Sequence, residues 1–171
     1  KGRWGPDRYE LGRRRREVTA AASVPLIVND RIDLAAAIDA DGVHLGQSDL
    51  PVEVARERLG SEAVVGCSTS TIPEAEAAEA AGADYLGVGA VYGTVSKDVP
   101  EEKDGIGTEP VAAIADAVDV PVFGIGGITA DNARPVIEAG ATGTAVISAI
   151  TAADDPTAAT AALGEVIGDA R

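Results

Sequence analysis

Pro121-Val-Phe-Gly-Ile-Gly-Gly-Ile-Thr-Ala-Asp-Asn-Ala-Arg-Pro-Val-Ile-Glu-Ala-Gly140 holds one complete structural unit. The run Pro121–Ile128 is almost continuously apolar, as a parallel strand buried on both faces would be. From Ala130 to Ala139 the apolar residues return at helical spacing, and Gly140 stands where a helix would stop. Strand, glycine-bearing turn and amphipathic helix together make a βα unit.

The unit recurs on both sides. Strand-like runs lie at Pro25–Asp30, Gly42–Gly46, Val64–Thr69, Tyr85–Val91 and Gly143–Ile150. Alanine-rich helical stretches follow them at Arg31–Ala40, Pro51–Leu59, Ile72–Ala81 and Thr108–Val118, with a tail helix at Pro156–Ala170. Gly60 and Gly82 repeat the stop signal, and a further helix, Asp7–Ala22, precedes the first run. Successive βα units with neither G-x-G-x-x-G nor a P-loop predict an α/β fold of the (β/α)8 TIM-barrel kind. Residues 1–171 then form a single barrel domain that lacks about the first two strands and the first helix. Such barrels run to about 250 residues, with about 200 as the compact limit, and roughly 40 more would bring this chain into range. A chain with no methionine that begins at Lys1 agrees with a missing beginning. An open doubly wound sheet, which needs no missing strands, is the alternative.

Composition narrows the function classes. Twenty-eight acidic against 14 basic side chains leave a formal charge of −14, which argues against nucleic acid and anionic membranes as partners and leaves small molecules. The acidic surplus reads as a solvated surface of the kind a high-salt cytoplasm would tolerate. The single cysteine, Cys67, excludes an intrachain disulfide and fits a reducing compartment. No run approaches the roughly 18 apolar residues of a membrane span, and no signal peptide precedes the first element, so a cytoplasmic location is expected. The oligomeric state stays open, a homo-oligomer included.

In a barrel the chemistry gathers at the C-terminal ends of the strands. Those ends carry Asn29-Asp30, Gln47-Ser48-Asp49, Ser68, Thr94-Val95-Ser96-Lys97, Gly126-Gly127 and Ile147-Ser148, all expected to face one mouth. Asp30 and Asp49 follow adjacent strands and suit Mg²⁺, which takes one or two carboxylates, waters and substrate phosphate. Read singly, Asp30 is a cap for a helix starting at Arg31, and Asp49 a cap before Pro51. Gly126-Gly127 lets backbone N–H groups approach an anion, and Val146–Ile150 offers the same after the last strand. The final two loops are the usual phosphate site of this fold. Lys97, with Thr94 and Ser96 at near-alternate spacing, can face an anion. The polar loop from there to Gly107 reads as a lid, or for Asp98–Asp104 as solvated surface. His44 is expected to be a structural histidine, Cys67 a small apolar strand residue, and Gly12–Arg16 a solvated or ion-pairing helix face.

The strings Pro-Leu-Ile-Val-Asn-Asp, Asp-Gly-Val-His-Leu-Gly-Gln-Ser-Asp-Leu-Pro, Ala-Asp-Tyr-Leu-Gly-Val-Gly, Gly-Ile-Gly-Gly-Ile-Thr-Ala-Asp-Asn and Val-Ile-Ser-Ala-Ile resemble the thiamine-phosphate synthase family, in order over almost all of Pro25–Ile150. The resemblance implies a (β/α)8 transferase that joins hydroxymethylpyrimidine diphosphate to thiazole phosphate or its carboxylate and releases pyrophosphate. It implies Asp30 and Asp49 as Mg²⁺ ligands, Asn29 and Lys97 as diphosphate contacts, and Ser68 as the pyrimidine-side serine. Thr94 and Ser96 fall on the family's Thr-x-Thr pair at the thiazole, here with serine second. Gly127, Ile147 and Ser148 fall on the thiazole-phosphate site, with Gly126 beside them. Lys1 matches the end of a Gln-x-Arg-x-Lys motif whose other members would lie upstream. The implied route is dissociative: the aminopyrimidine carries a cation as the C–O bond breaks, and no protein nucleophile is required. A thiazole tautomerase paralogue is the near rival, but its histidine position holds Ser70. A non-catalytic phosphate-binding barrel fragment is the rival from another class.

Overall fold

Over the residues described in this computed structural model, 5–93 and 105–170, the apolar runs are parallel strands and the stretches between them contain helices. Two compact units are distinguished by their internal packing.

The first unit takes the described residues up to Cys67 together with Ala81–Asp84. Its elements are α1 (Gly5–Ala21), β1 (Ile27–Asn29), α2 (Ile32–Ala37), β2 (Gly42–Leu45), α3 (Val52–Leu59) and the first residues of β3 (Val64–Thr69). β1 pairs with β2 and β2 with β3, in registers that set Asn29 opposite His44 and Leu45 opposite Cys67. Val43, Leu45 and Val65 are buried in the strands, as are Ile32 and Ala35 of α2 and Val52 and Ala55 of α3. Both helices pack on β2, and alanine at their inner positions lets backbone lie close to backbone.

Charged side chains tie the N-terminal ends of these strands. Asp41, just before β2, accepts the Leu26 N–H at 2.7 Å and pairs with Arg16 of α1 at 3.2 Å. Asp84 repeats the device, taking the Val65 N–H at 2.7 Å and the Arg56 guanidinium at 2.6 Å. Arg56 also donates to the carbonyls of Ala63 and Gly82, at 2.6 and 2.8 Å, so one side chain gathers the turns on either side of β3 and α4. The basic run of α1 is an ion-pairing face, since Arg13 pairs with Glu17 and Arg16 with Asp41.

The second unit takes Ser68–Ala80 and the described residues from Tyr85 onward. It contains α4 (Ile72–Ala80), β4 (Tyr85–Gly89), α5 (Glu109–Ala115), β5 (Val122–Ile125), α6 (Arg134–Glu138), β6 (Gly143–Ala145), α7 (Ser148–Thr151) and α8 (Pro156–Asp169). β4, β5 and β6 pair parallel in that order, Gly89 opposite Ile125 and Ile125 opposite Ala145. Leu86, Val88, Val111, Ile114, Val122 and Val136 form its core. Tyr85 and Phe123 meet edge to face, with ring centroids 5.6 Å apart. Burial pushes the Tyr85 hydroxyl up from 10.0 to about 12.

Gly60, Gly82 and Gly140 have φ of +86°, +93° and +95°, as the stop-signal reading requires. Two elements depart from expectation. The helix read at Ala130–Ala139 is only Arg134–Glu138, because the Asn132 side chain holds the preceding residues in a turn and Pro135 enters the helix in its first turn. The strand run read to Ile150 ends at Ala145, and Ser148–Thr151 coils into α7.

Arg56→Ala is expected to lower the unfolding free energy by about 2–3 kcal/mol in urea titration, since several carbonyls and Asp84 lose a charged donor together. Tyr85 is expected to titrate above the usual phenol range. Its unfolded form loses the proton near pH 10 and its folded form near 12, so its contribution to stability is complete below pH 10 and lost as pH rises towards 12. Absorbance titration at high pH checks this.

Candidate functional site

In the first unit the strand ends bring acids and amides together. Asn29 closes β1, and Asp30 follows it with φ +67°, a left-handed conformation that aspartate tolerates better than most side chains. Its N–H is held by the His44 carbonyl at 2.8 Å, and its carboxylate accepts from the Asn29 side-chain amide. The cap reading of Asp30 fails, since the residue before α2 is Arg31 and makes no side-chain cap bond. Arg31 instead pairs with Asp33 at 2.6 Å; that hydrogen bond holds the Asp33 carboxyl below its usual range and raises the Arg31 guanidinium.

Asp49 is not a cap either. Its Oδ2 reaches back to the Gly46 N–H at 2.7 Å while its own N–H donates to the Gly46 carbonyl at 3.1 Å, which closes the turn after β2. Within that turn, the Gln47 amide donates to Sγ of Cys67 at 3.7 Å. Cys67 is buried, as a small apolar strand residue should be, and His44 is half-buried in β2. Among the described residues no three acids, histidines or cysteines cluster as a metal centre.

The second unit carries a turn of paired glycines. Gly126 and Gly127 follow β5 with φ of +99° and +63°, which glycine adopts without penalty. A Cβ at Gly127 would lie 2.6 Å from the Gly93 carbonyl oxygen and 2.8 Å from Cβ of Tyr92, so neither conformation nor space admits a side chain. Asn132 spans the turn, Oδ1 accepting from Thr129 N–H at 2.8 Å and Nδ2 donating to the Gly127 carbonyl at 3.1 Å. Ile147 and Ser148 stand exposed at the start of α7, and Ser68 is half-buried near the end of β3. Ser70 and Thr71 give their N–H groups to Glu74, forming the start of α4. Lys1, Thr94, Ser96 and Lys97 lie outside the described residues. Sequence reasoning assigned no role to Asn132 or Tyr92, although an asparagine a few residues beyond paired glycines is a turn signal.

Comparison with known proteins follows this geometry. The profile of the family described as thiamine monophosphate synthase matches residues 4–150. The thiamine-phosphate synthase of Natronomonas pharaonis is 63% identical over 161 residues, covering 94% of this chain and 75% of the relative. That of Haloarcula marismortui is 59% identical over 172 residues, covering 100% and 82%. Among solved structures, a thiamine phosphate pyrophosphorylase from Pyrococcus furiosus superposes with a TM-score of 0.86 at 40% identity, over 99% of this chain and 81% of that one.

Gly127→Ala is expected to cost about 2 kcal/mol or more, from the left-handed backbone and the contact with Gly93, and to lower Tm by several degrees in calorimetry. Gly164→Ala in α8, where an added Cβ meets nothing within 4 Å, is expected to raise Tm slightly instead.

Proposed function

The chain belongs to the thiamine monophosphate synthase family, and on that premise we propose that it joins 4-amino-2-methyl-5-hydroxymethylpyrimidine diphosphate to thiazole phosphate or its carboxylate, releasing pyrophosphate. Enzymes of this kind are transferases acting on small molecules. We read the six strands as six of the eight in a (β/α)8 barrel, within a single domain over residues 1–171, so that the strand ends serve one reaction.

The observation that carries this reading is the Gly126–Gly127 turn, whose positive φ values and lack of side-chain room leave backbone as its only surface. Bare backbone beside a strand end suits phosphate, and the loops after the last two barrel strands are where this fold takes it. Ile147 and Ser148 complete the thiazole-phosphate side. Fixing the thiazole by its phosphate presents its nitrogen to the electrophilic carbon, and orientation alone supplies a large part of such an acceleration.

Asp30 and Asp49 fit a magnesium site. Both follow adjacent parallel strands, and Asp49 spends one oxygen on the Gly46 N–H, so its other oxygen is directed by a closed turn. Two carboxylates suit an ion that completes its shell with water and phosphate. Bound there, Mg²⁺ would offset charge on the departing pyrophosphate. Lys97 and Lys1 add ammonium groups to the same leaving group, Asn29 donates to it, and Ser68 holds the pyrimidine as the exocyclic C–O bond breaks. No residue needs to attack, so the protein's work is to bind, align and neutralise.

With a formal net charge of −14, we choose high potassium chloride as the assay medium. Natural full-length protein is expected to release pyrophosphate only when both substrates and Mg²⁺ are present; release from the pyrimidine diphosphate alone would sink the reading. Asp49→Asn is expected to lower kcat/KM by about 100-fold or more and to weaken Mg²⁺ activation, measured by pyrophosphate release against Mg²⁺ concentration.

A further inference from the structure

The turn after β5 is held from two directions by residues that the proposed chemistry does not use. Asn132 turns the Gly127 carbonyl towards itself, with Nδ2 to oxygen at 3.1 Å, and binds the Thr129 N–H through Oδ1 at 2.8 Å. In a trans peptide the N–H points opposite to the C=O, so this bond also sends the Ile128 N–H to the side away from Asn132. A Gly127 carbonyl released from Asn132 could swing outward and set a negative dipole against any anion in the turn.

Tyr92 secures both ends of the same segment. Its N–H donates to the Gly126 carbonyl at 3.0 Å, and its hydroxyl donates to the Asn132 carbonyl at 3.0 Å across 40 residues of sequence. Its Cβ stands 2.8 Å from where a Gly127 side chain would begin. The segment after β4 that supplies Tyr92 is anchored in turn: Val91 N–H bonds the Ile125 carbonyl at 2.8 Å, and Gly107 N–H bonds the Val91 carbonyl at 2.8 Å. Gly126 to Asn132 is thus closed at its start by backbone, at its end by a phenol, and internally by a carboxamide.

We infer that Asn132 and Tyr92 are positioning residues for the phosphate of the thiazole substrate, aiming the Gly126–Ile128 backbone without touching the reacting atoms. The inference rests on reading that turn as the phosphate loop. Its consequence is selective: losing either residue weakens recognition of the phosphate and leaves the pyrimidine diphosphate alone.

The test compares natural full-length protein with Asn132→Ala, Asn132→Asp and Tyr92→Phe, the last keeping the ring and removing only the hydroxyl. Calorimetric titration measures the affinity for thiazole phosphate and for the same thiazole as its alcohol; kinetics measure both KM values. Asn132→Ala is expected to weaken thiazole phosphate about tenfold, Asn132→Asp more because it sets a carboxylate beside the loop, and Tyr92→Phe about threefold. Affinity for the alcohol and the KM for the pyrimidine diphosphate are expected to stay within twofold. If Tyr92→Phe and Asn132→Ala bind thiazole phosphate as the parent does, or weaken phosphate and alcohol equally, the inference is overturned while the parent's pyrophosphate release still upholds the function. A parent protein that neither releases pyrophosphate nor prefers the phosphorylated thiazole overturns the function, and the inference with it.

Discussion

A parallel strand buried on both faces has to pair every backbone N–H, and the groups just beyond its first residues are the hardest to satisfy. Here carboxylates do that work. Asp41 takes the Leu26 N–H and Asp84 the Val65 N–H, each from the turn before a later strand, and each is held by an arginine from a helix, Arg16 or Arg56. Glu79 does the same in the second unit, its Oε1 accepting from Asp119 and Val120 at 2.8 and 3.0 Å. Acidic residues in this chain are therefore more than a soluble coat, since some of them set strand register from the N-terminal side.

At their other ends the strands give way to irregular backbone. Asp30 sits in the left-handed region, Asp49 folds back on Gly46, and Gly126 and Gly127 follow with positive φ. A left-handed aspartate persists only where surrounding contacts over-determine it, and the turns are held as closely. The contacts are visible: His44 and Asn29 around Asp30, Gly46 around Asp49, Asn132 and Tyr92 around the glycines. These supports lie at the C-terminal ends of strands.

Much of this was legible in the chain. The glycines that end helices, the alternation of apolar runs with alanine-rich stretches, and the paired glycines after β5 each carry their meaning locally. The boundaries that failed are instructive. Ala130–Ala139 has helical spacing throughout, yet Asn132 prefers its own turn and the helix waits until Arg134. Val146–Ile150 is apolar enough for a strand, yet pairing stops at Ala145 and the backbone satisfies itself in a short helix. Asp30 and Asp49 had the right spacing for caps, yet Arg31 and Pro51 hold the cap positions.

The sequence by itself determined the order of elements, the apolar faces, the helix stops and the family, because each depends on local propensity or on strings a few residues long. Only the tertiary structure decided which partners the polar side chains take. Arg56 meets Asp84 across 28 residues, Gln47 meets Cys67 across 20, and Tyr92 meets Asn132 across 40. A hydrogen bond needs its two atoms within about 3 Å and aligned. No spacing along a chain encodes that alignment until the strands have paired and the helices have packed.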